Sequence, residues 1–101
     1  MQDVFTAIAD PSRRHILDLL SEKEMSVKSI ADRFHFSHTA ASKHLQVLRK
    51  TNLVQMRQKG RERIYRLNAD PLLEVKKWVQ QYEKFWDIKL RTLKEQIEGE
   101  A

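Results

Sequence analysis

Apolar residues recur at helical spacing in five stretches of this chain, and in two short runs before the last of them they alternate with polar ones. Val4, Phe5 and Ile8 give a small apolar face over residues 3–9, enough for one or two turns that need something larger to pack on. Asp10-Pro11 predicts the start of a second helix, because aspartate caps free N–H groups and proline at the first helical position gives up a donor that has no partner there. Ile16, Leu17, Leu19 and Leu20 supply its buried stripe over 11–21. Ser26 is placed to cap a third helix over 27–34, where Val27, Ile30, Ala31 and Phe34 share one side. His35-Phe36-Ser37 reads as a tight turn whose serine caps helix 38–50. In that helix Ala41, Leu45 and Leu48 stand at i, i+4 and i+7 and must face the core, so His38, Thr39, Ser42, Lys43 and Gln46 point outward.

Two short helices joined by about three residues, the second polar on its outer face, predict a helix-turn-helix. The runs 53–58 and 62–67 hold Val54, Met56, Ile64, Tyr65 and Leu67 around Lys59-Gly60-Arg61, which predicts a β-hairpin with a three-residue loop, a wing. Asn68-Ala69-Asp70-Pro71 resets the chain, and one long helix is expected over 72–98. Its stripe, Leu72, Val75, Val79, Tyr82, Trp86, Leu93 and Ile97, lies near heptad spacing and is widened by Trp78, Phe85 and Leu90. Such a helix is about 40 Å long at 1.5 Å per residue, more than a small domain beneath it can cover. The expectation is a homodimer interface made by the first and last helices, through Val4, Phe5, Ile8, Val75, Trp78, Val79, Tyr82, Phe85, Trp86 and Leu93. Simple coverage of the chain's own core is the alternative. The fold class predicted is mainly α (α+β), a winged helix-turn-helix in the order α-α-α-α-β-β-α, with residues 1–101 forming a single domain.

Charge sharpens the picture. The net charge is +5, yet between Asp32 and Asp70 stand nine Lys or Arg residues and a single acid, Glu62. A positive middle third on a helix-turn-helix and its wing points to a polyanion, and to double-stranded DNA above others. The outward residues of helix 38–50, His38, Thr39, Ser42, Lys43 and Gln46, are of the kinds that meet base edges and phosphates in a major groove, with glutamine suited to adenine and lysine to guanine or phosphate. Arg57, Lys59, Arg61 and Arg63 of the wing are expected on the DNA backbone or in the minor groove. Ser37 is read as a cap alone, and His44 as a packed residue at the edge of the apolar stripe. An RNA-binding or protein-interaction module is the rival reading, although interaction modules tend to lose charge on the recognition helix and wing, where here it is densest.

Other classes drop out. Without cysteine there is no disulfide and no thiolate metal site. His38 and Ser42 at i, i+4 resemble a base and nucleophile only superficially, with no carboxylate to orient the imidazole and no glycine-rich loop, so no enzyme and no cofactor are expected. Glu83 and Asp87 share a helical face, but His15, His35, His38 and His44 all lie before residue 45, so no metal site is expected either. The N-terminus lacks the basic and apolar regions of a leader and no stretch is apolar enough for a membrane span, so a cytoplasmic location without a membrane partner is expected.

The segments Ala7-Ile-Ala-Asp-Pro-Ser-Arg-Arg-His-Ile-Leu-Asp-Leu-Leu20, Ser29-Ile-Ala-Asp-Arg-Phe34 and Ser42-Lys-His-Leu-Gln-Val-Leu48, followed by the arginine-rich wing, resemble the ArsR/SmtB family of small bacterial winged-helix repressors. That resemblance implies a homodimer whose operator binding blocks transcription until a signal lowers DNA affinity. Metal sensors of the family often carry a Cys-x-Cys type site where this chain has Ser29-Ile-Ala-Asp-Arg-Phe34, so the signal expected here is not a thiol-binding metal. A small molecule or a protein inducer fits that place, and Trp78, Phe85 and Trp86 are read either as a small-molecule pocket or as interface packing. Two recognition helices related by a two-fold axis should meet successive major grooves about 34 Å apart, which predicts a palindromic operator.

Overall fold

A computed structural model describes residues 3–99. The elements, in chain order, are α1 (Val4–Ile8), α2 (Pro11–Glu22), β1 (Met25–Ser26), α3 (Val27–Phe34), α4 (His38–Lys50), β2 (Val54–Lys59), β3 (Glu62–Leu67), α5 (Leu72–Gln80) and α6 (Glu83–Gly99). This is a mainly helical winged helix-turn-helix with a small antiparallel sheet in the order β1-β3-β2.

Short polar side chains start the helices where the sequence places them. The Asp10 carboxylate accepts from the backbone N–H groups of Ser12 at 2.7 Å and Arg13 at 3.2 Å. Ser26 Oγ accepts from Ser29 N–H at 3.1 Å, and Ser37 Oγ from Ala40 N–H at 3.0 Å. Between α3 and α4, His35 takes the left-handed conformation at φ 57°, which stops α3 and turns the chain in two further residues. Arg13 and Arg14, in the first turn of α2, reach back instead of out. Arg13 donates to the carbonyls of Ala7 at 2.6 Å and Thr6 at 3.1 Å, and Arg14 to that of Ile8 at 2.7 Å, so the last turn of α1 is fastened to the domain. The core they close over is centred on Ile16, Ile30, Leu45, Leu48, Leu53 and Val54, all essentially without solvent contact.

Four expectations are corrected. The sheet has a third strand, β1, pairing Met25 with Tyr65 and Ser26 with Ile64, and two residues are too few to show an alternating pattern in sequence. The wing loop is two residues long, because Lys59 pairs in register with Glu62. Gly60 there sits at φ +60°, the left-handed geometry that such tight turns require. The last helix is interrupted. Gln81 and Tyr82 donate three residues back, to Trp78 and Val79 at 3.3 and 2.9 Å, and Phe85 does the same to Tyr82 at 3.0 Å. This tighter winding falls where the helix leaves the body: Val75 still packs against the core, whereas residues 81–99 are all exposed and their conformation is set locally. Finally Val4, expected between two copies, is 4% exposed and belongs to the chain's own core. Among the described residues no helix is long and apolar enough to cross a membrane.

Candidate nucleic-acid interface

Helix α4 divides as its spacing demands. Ala41, Leu45 and Leu48 are completely buried, which turns His38, Thr39, Lys43 and Gln46 into solvent and leaves Ser42 half-buried at the margin. Lys50 is exposed as well and continues the row Thr39, Lys43, Gln46 at i+11, a residue the sequence reading omits although the same periodicity contains it. Ser37 caps and is exposed. His44 packs, as expected, with its ring 5.6 Å from Phe36. It ends a row of rings that runs through Phe34, 5.4 Å from Phe36, to His15 on α2, 6.0 Å from Phe34. This row braces the outer side of the helix-turn-helix against α2. At the α4 end of it, burial alone would push the Asp10 carboxyl up, but the N–H groups of Arg13 and Ser12 and the charges of Arg13 and His44 hold it below its ordinary value.

The wing cations fall into two groups. Register places Arg57, Ile64 and Arg66 on one face of the hairpin and Met56, Tyr65 and Arg63 on the other. On the first face both terminal guanidinium nitrogens of Arg57 donate to the Glu24 carboxylate, each at 2.6 Å. That pairing holds Glu24 below its usual carboxylate range and raises Arg57 further. Arg57, expected on DNA, is therefore engaged by the α2–β1 connection, and Arg66 donates to Gln55 at 2.8 Å. Lys59, Arg61 and Arg63 are exposed, and among the described residues none has a carboxylate within ion-pair distance.

Arg61, Glu62 and Arg63 come together with His38 of α4 across a cleft of about 450 Å³ that also includes Ser26, the cap of α3, and Val27 and Lys28 from its first turn. Lys28 escaped the sequence reading because nothing local distinguishes it from any exposed lysine. The signal was indirect, in the Ser26 cap that puts it at the start of the helix before the recognition helix. The assembled surface, with an exposed row on α4 and unpaired arginines beside it, can engage a polyanion through many contacts at once. Among the described residues no three His, Asp or Glu side chains are grouped as metal ligands would be.

The residues expected between two copies are mostly on the surface. Phe5, Ile8, Val75 and Val79 are half-buried, while Trp78, Tyr82, Phe85, Trp86 and Leu93 are exposed. Trp78, Val79, Tyr82, Phe85 and Trp86 line an apolar cleft of about 430 Å³ at the α5–α6 junction, and the edge of Trp78 meets Phe5 at 5.8 Å, joining α1 to the same surface. Leu73, Ile88, Leu90 and Ile97 add to the exposed apolar area.

Comparison with known proteins agrees with this architecture. The family model for bacterial regulatory proteins of the arsR family matches residues 10–56, from the cap of α2 into β2. The transcriptional repressor SdpR of Bacillus subtilis is 38% identical over 79 residues, which span 78% of this chain and 88% of SdpR. An ArsR-like transcriptional regulator from Rhodococcus sp. RHA1 superimposes with a TM-score of 0.68 at 33% identity, covering 93% of this chain and 88% of that one. The homodimeric winged helix-turn-helix DNA-binding domain of a Mycobacterium bovis protein superimposes with a TM-score of 0.65 at 33% identity, covering 80% and 75%. The winged helix-turn-helix with its cationic outer row and the near full-length relatives lead to one conclusion: the chain belongs to the ArsR family of DNA-binding transcriptional regulators.

Proposed function

We propose that this chain acts as a homodimeric repressor that binds a palindromic operator, with α4 in the major groove and the wing on the backbone or in the minor groove. Thr39, Ser42, Lys43 and Gln46 read base edges, His38 and the wing residues Lys59, Arg61 and Arg63 hold phosphates, and Lys50 extends the same row. Arg57 contributes by holding the wing in place through Glu24. The single observation that carries this reading is the unpaired cationic surface shared by α4 and the wing tip on a domain of this family.

Dimerisation supplies the second half of the mechanism. Nine large apolar side chains from Leu73 to Ile97 are exposed, more than a monomer of this size carries without a partner. Packing them against a second copy, with Phe5 and Ile8 at the edge, would set the distance between two α4 helices, and about 34 Å matches successive grooves. A signal that favours a dimer of different spacing lowers DNA affinity by its differential binding to the two forms. With no thiolate in the chain, that signal acts through other chemistry. SdpR is a repressor and the M. bovis domain is homodimeric, which supports both parts of the proposal.

A gel-shift titration with the DNA immediately upstream of its own gene, at two salt concentrations, tests this reading. Retardation that weakens steeply with salt is expected. Binding to RNA or to a protein in preference to every duplex offered would replace it.

A further inference from the structure

The cleft between the wing and the helix-turn-helix gathers cationic side chains from two separate elements and an imidazole from a third. Lys28 stands in the first turn of α3, His38 opens α4, and Arg61 and Arg63 come from the wing. The acid nearest to them in the cleft lining, Glu62, pairs in register with Lys59 on the opposite face of the hairpin from Arg63. Among the described residues neither the lysine nor the two arginines nor the histidine has a carboxylate within ion-pair distance. Both helices also begin here, so the positive ends of two helix dipoles add to the side chains. By contrast Arg57, on the other face of the wing, already has its anion in Glu24.

We propose that this cleft seats one backbone phosphate of the bound duplex, that Lys28 is one of its contacts, and that His38 is another which takes up a proton as the phosphate arrives. The proposal rests on the DNA-binding reading and adds to it a residue and a linked proton. A cleft of about 450 Å³, open to solvent and larger than a phosphate group, suits a sugar–phosphate strand passing between recognition helix and wing better than a closed site for a free ion. An anion within about 4–6 Å of an imidazole favours its charged form, so the complex holds a proton that the free protein gives up more readily. The charged groups that share the cleft with His38 are Lys28 from α3 and Arg61, Glu62 and Arg63 from the wing.

A short duplex of random sequence serves as the probe, because a backbone contact does not depend on bases. Lys28→Ala should lower affinity and make the slope of log affinity against log salt shallower by about 0.9 per bound protomer, while Lys28→Arg should retain both. Between about pH 8 and pH 6 the wild type should tighten by up to about tenfold per unit for each bound protomer, and His38→Gln should flatten that dependence while His15→Gln leaves it intact. If the wild type binds duplex and Lys28→Ala keeps its affinity and slope, or His38→Gln keeps its pH dependence, the seat is wrong and the DNA-binding reading stands. No duplex binding by the wild type at low salt would overturn both. Saturation of the His38 imidazole NMR signals by micromolar inorganic phosphate alone would make this a site for a free anion, and the assignment to the DNA backbone would fall.

Discussion

Arg57 on β2 and Glu24 at the end of the α2–β1 connection form a two-pronged ion pair, 2.6 Å at each prong, that fastens the outer face of the wing to the body of the domain. Its partners are 33 positions apart, so the contact closes only once the sheet has formed. Both groups are half-exposed, so the pair serves orientation of the wing more than stability.

Removing the carboxylate should loosen the wing without unfolding the domain. Arg57 holds Glu24 below its ordinary range, so the pair is fully present above the unfolded value of about 4.3 and is lost only as pH falls below it. The protection of amides in β2 and β3, with the intrinsic pH dependence of exchange divided out, should therefore be constant from neutral pH down to about pH 5 and fall below pH 4. Glu24→Gln should show the lowered protection already at neutral pH, as measured by NMR. Unchanged exchange in that variant would show that the pair does not hold the wing.

The two groups of wing cations should separate in their salt dependence. Lys59→Ala combined with Arg61→Ala should flatten the slope of log affinity against log salt by about 1.8 per half-site, two phosphates at about 0.9 each. Arg57→Ala should weaken binding through a mobile wing and leave the slope nearly unchanged. Equal slope changes per residue in the two variants would mean that Arg57 leaves Glu24 for the DNA.

Much of this molecule is legible in its sequence because the signals are local. Asp10, Ser26 and Ser37 cap the helices they precede, and the spacing of Ala41, Leu45 and Leu48 alone turns the outward row of α4 to solvent. What escapes the reading depends on distant partners. β1 exists because Tyr65 and Ile64 lie beside Met25 and Ser26, and Lys28 matters because the wing folds across from it. The break after Gln80 carries no proline or glycine to announce it. It reflects the end of support from the body, with Trp78 packed edge-on to Phe5 and nothing from the body beneath the exposed residues that follow. Val4 fails for the opposite reason: its stripe is correct, but α1 is held down by Arg13 and Arg14, which side-chain pattern does not reveal.

Asp10 joins a cap to an ion pair with Arg13 at 3.7 Å, and the two roles can be told apart. Asp10→Ala should cost about 1 kcal/mol in urea unfolding, the ordinary value of a lost cap. Asp10→Asn keeps the acceptor and should lose much less. Equal losses in both would assign the effect to charge.

The exposed aromatic surface should hold two copies together. Trp86→Glu places a charge in the middle of the apolar cleft at the α5–α6 junction and should shift sedimentation from dimer to monomer. The winged domain itself should stay folded, since Trp86 is exposed in the single chain. Operator affinity should fall by well over tenfold as half-sites bind singly. A variant that remains dimeric would move the interface elsewhere.

The central claim is that the outward row of α4 reads base sequence. The direct measurement is the affinity of wild type and of Lys43→Ala/Gln46→Ala for a palindromic duplex selected with the wild type, each compared with a random duplex at the same salt. The predicted result is that the variant stays dimeric and keeps a weakened affinity for random DNA. Its preference for the selected duplex should fall by at least about tenfold, or 1.4 kcal/mol, per half-site. A variant that discriminates as well as the wild type, or a wild type that prefers no duplex at all, would contradict it.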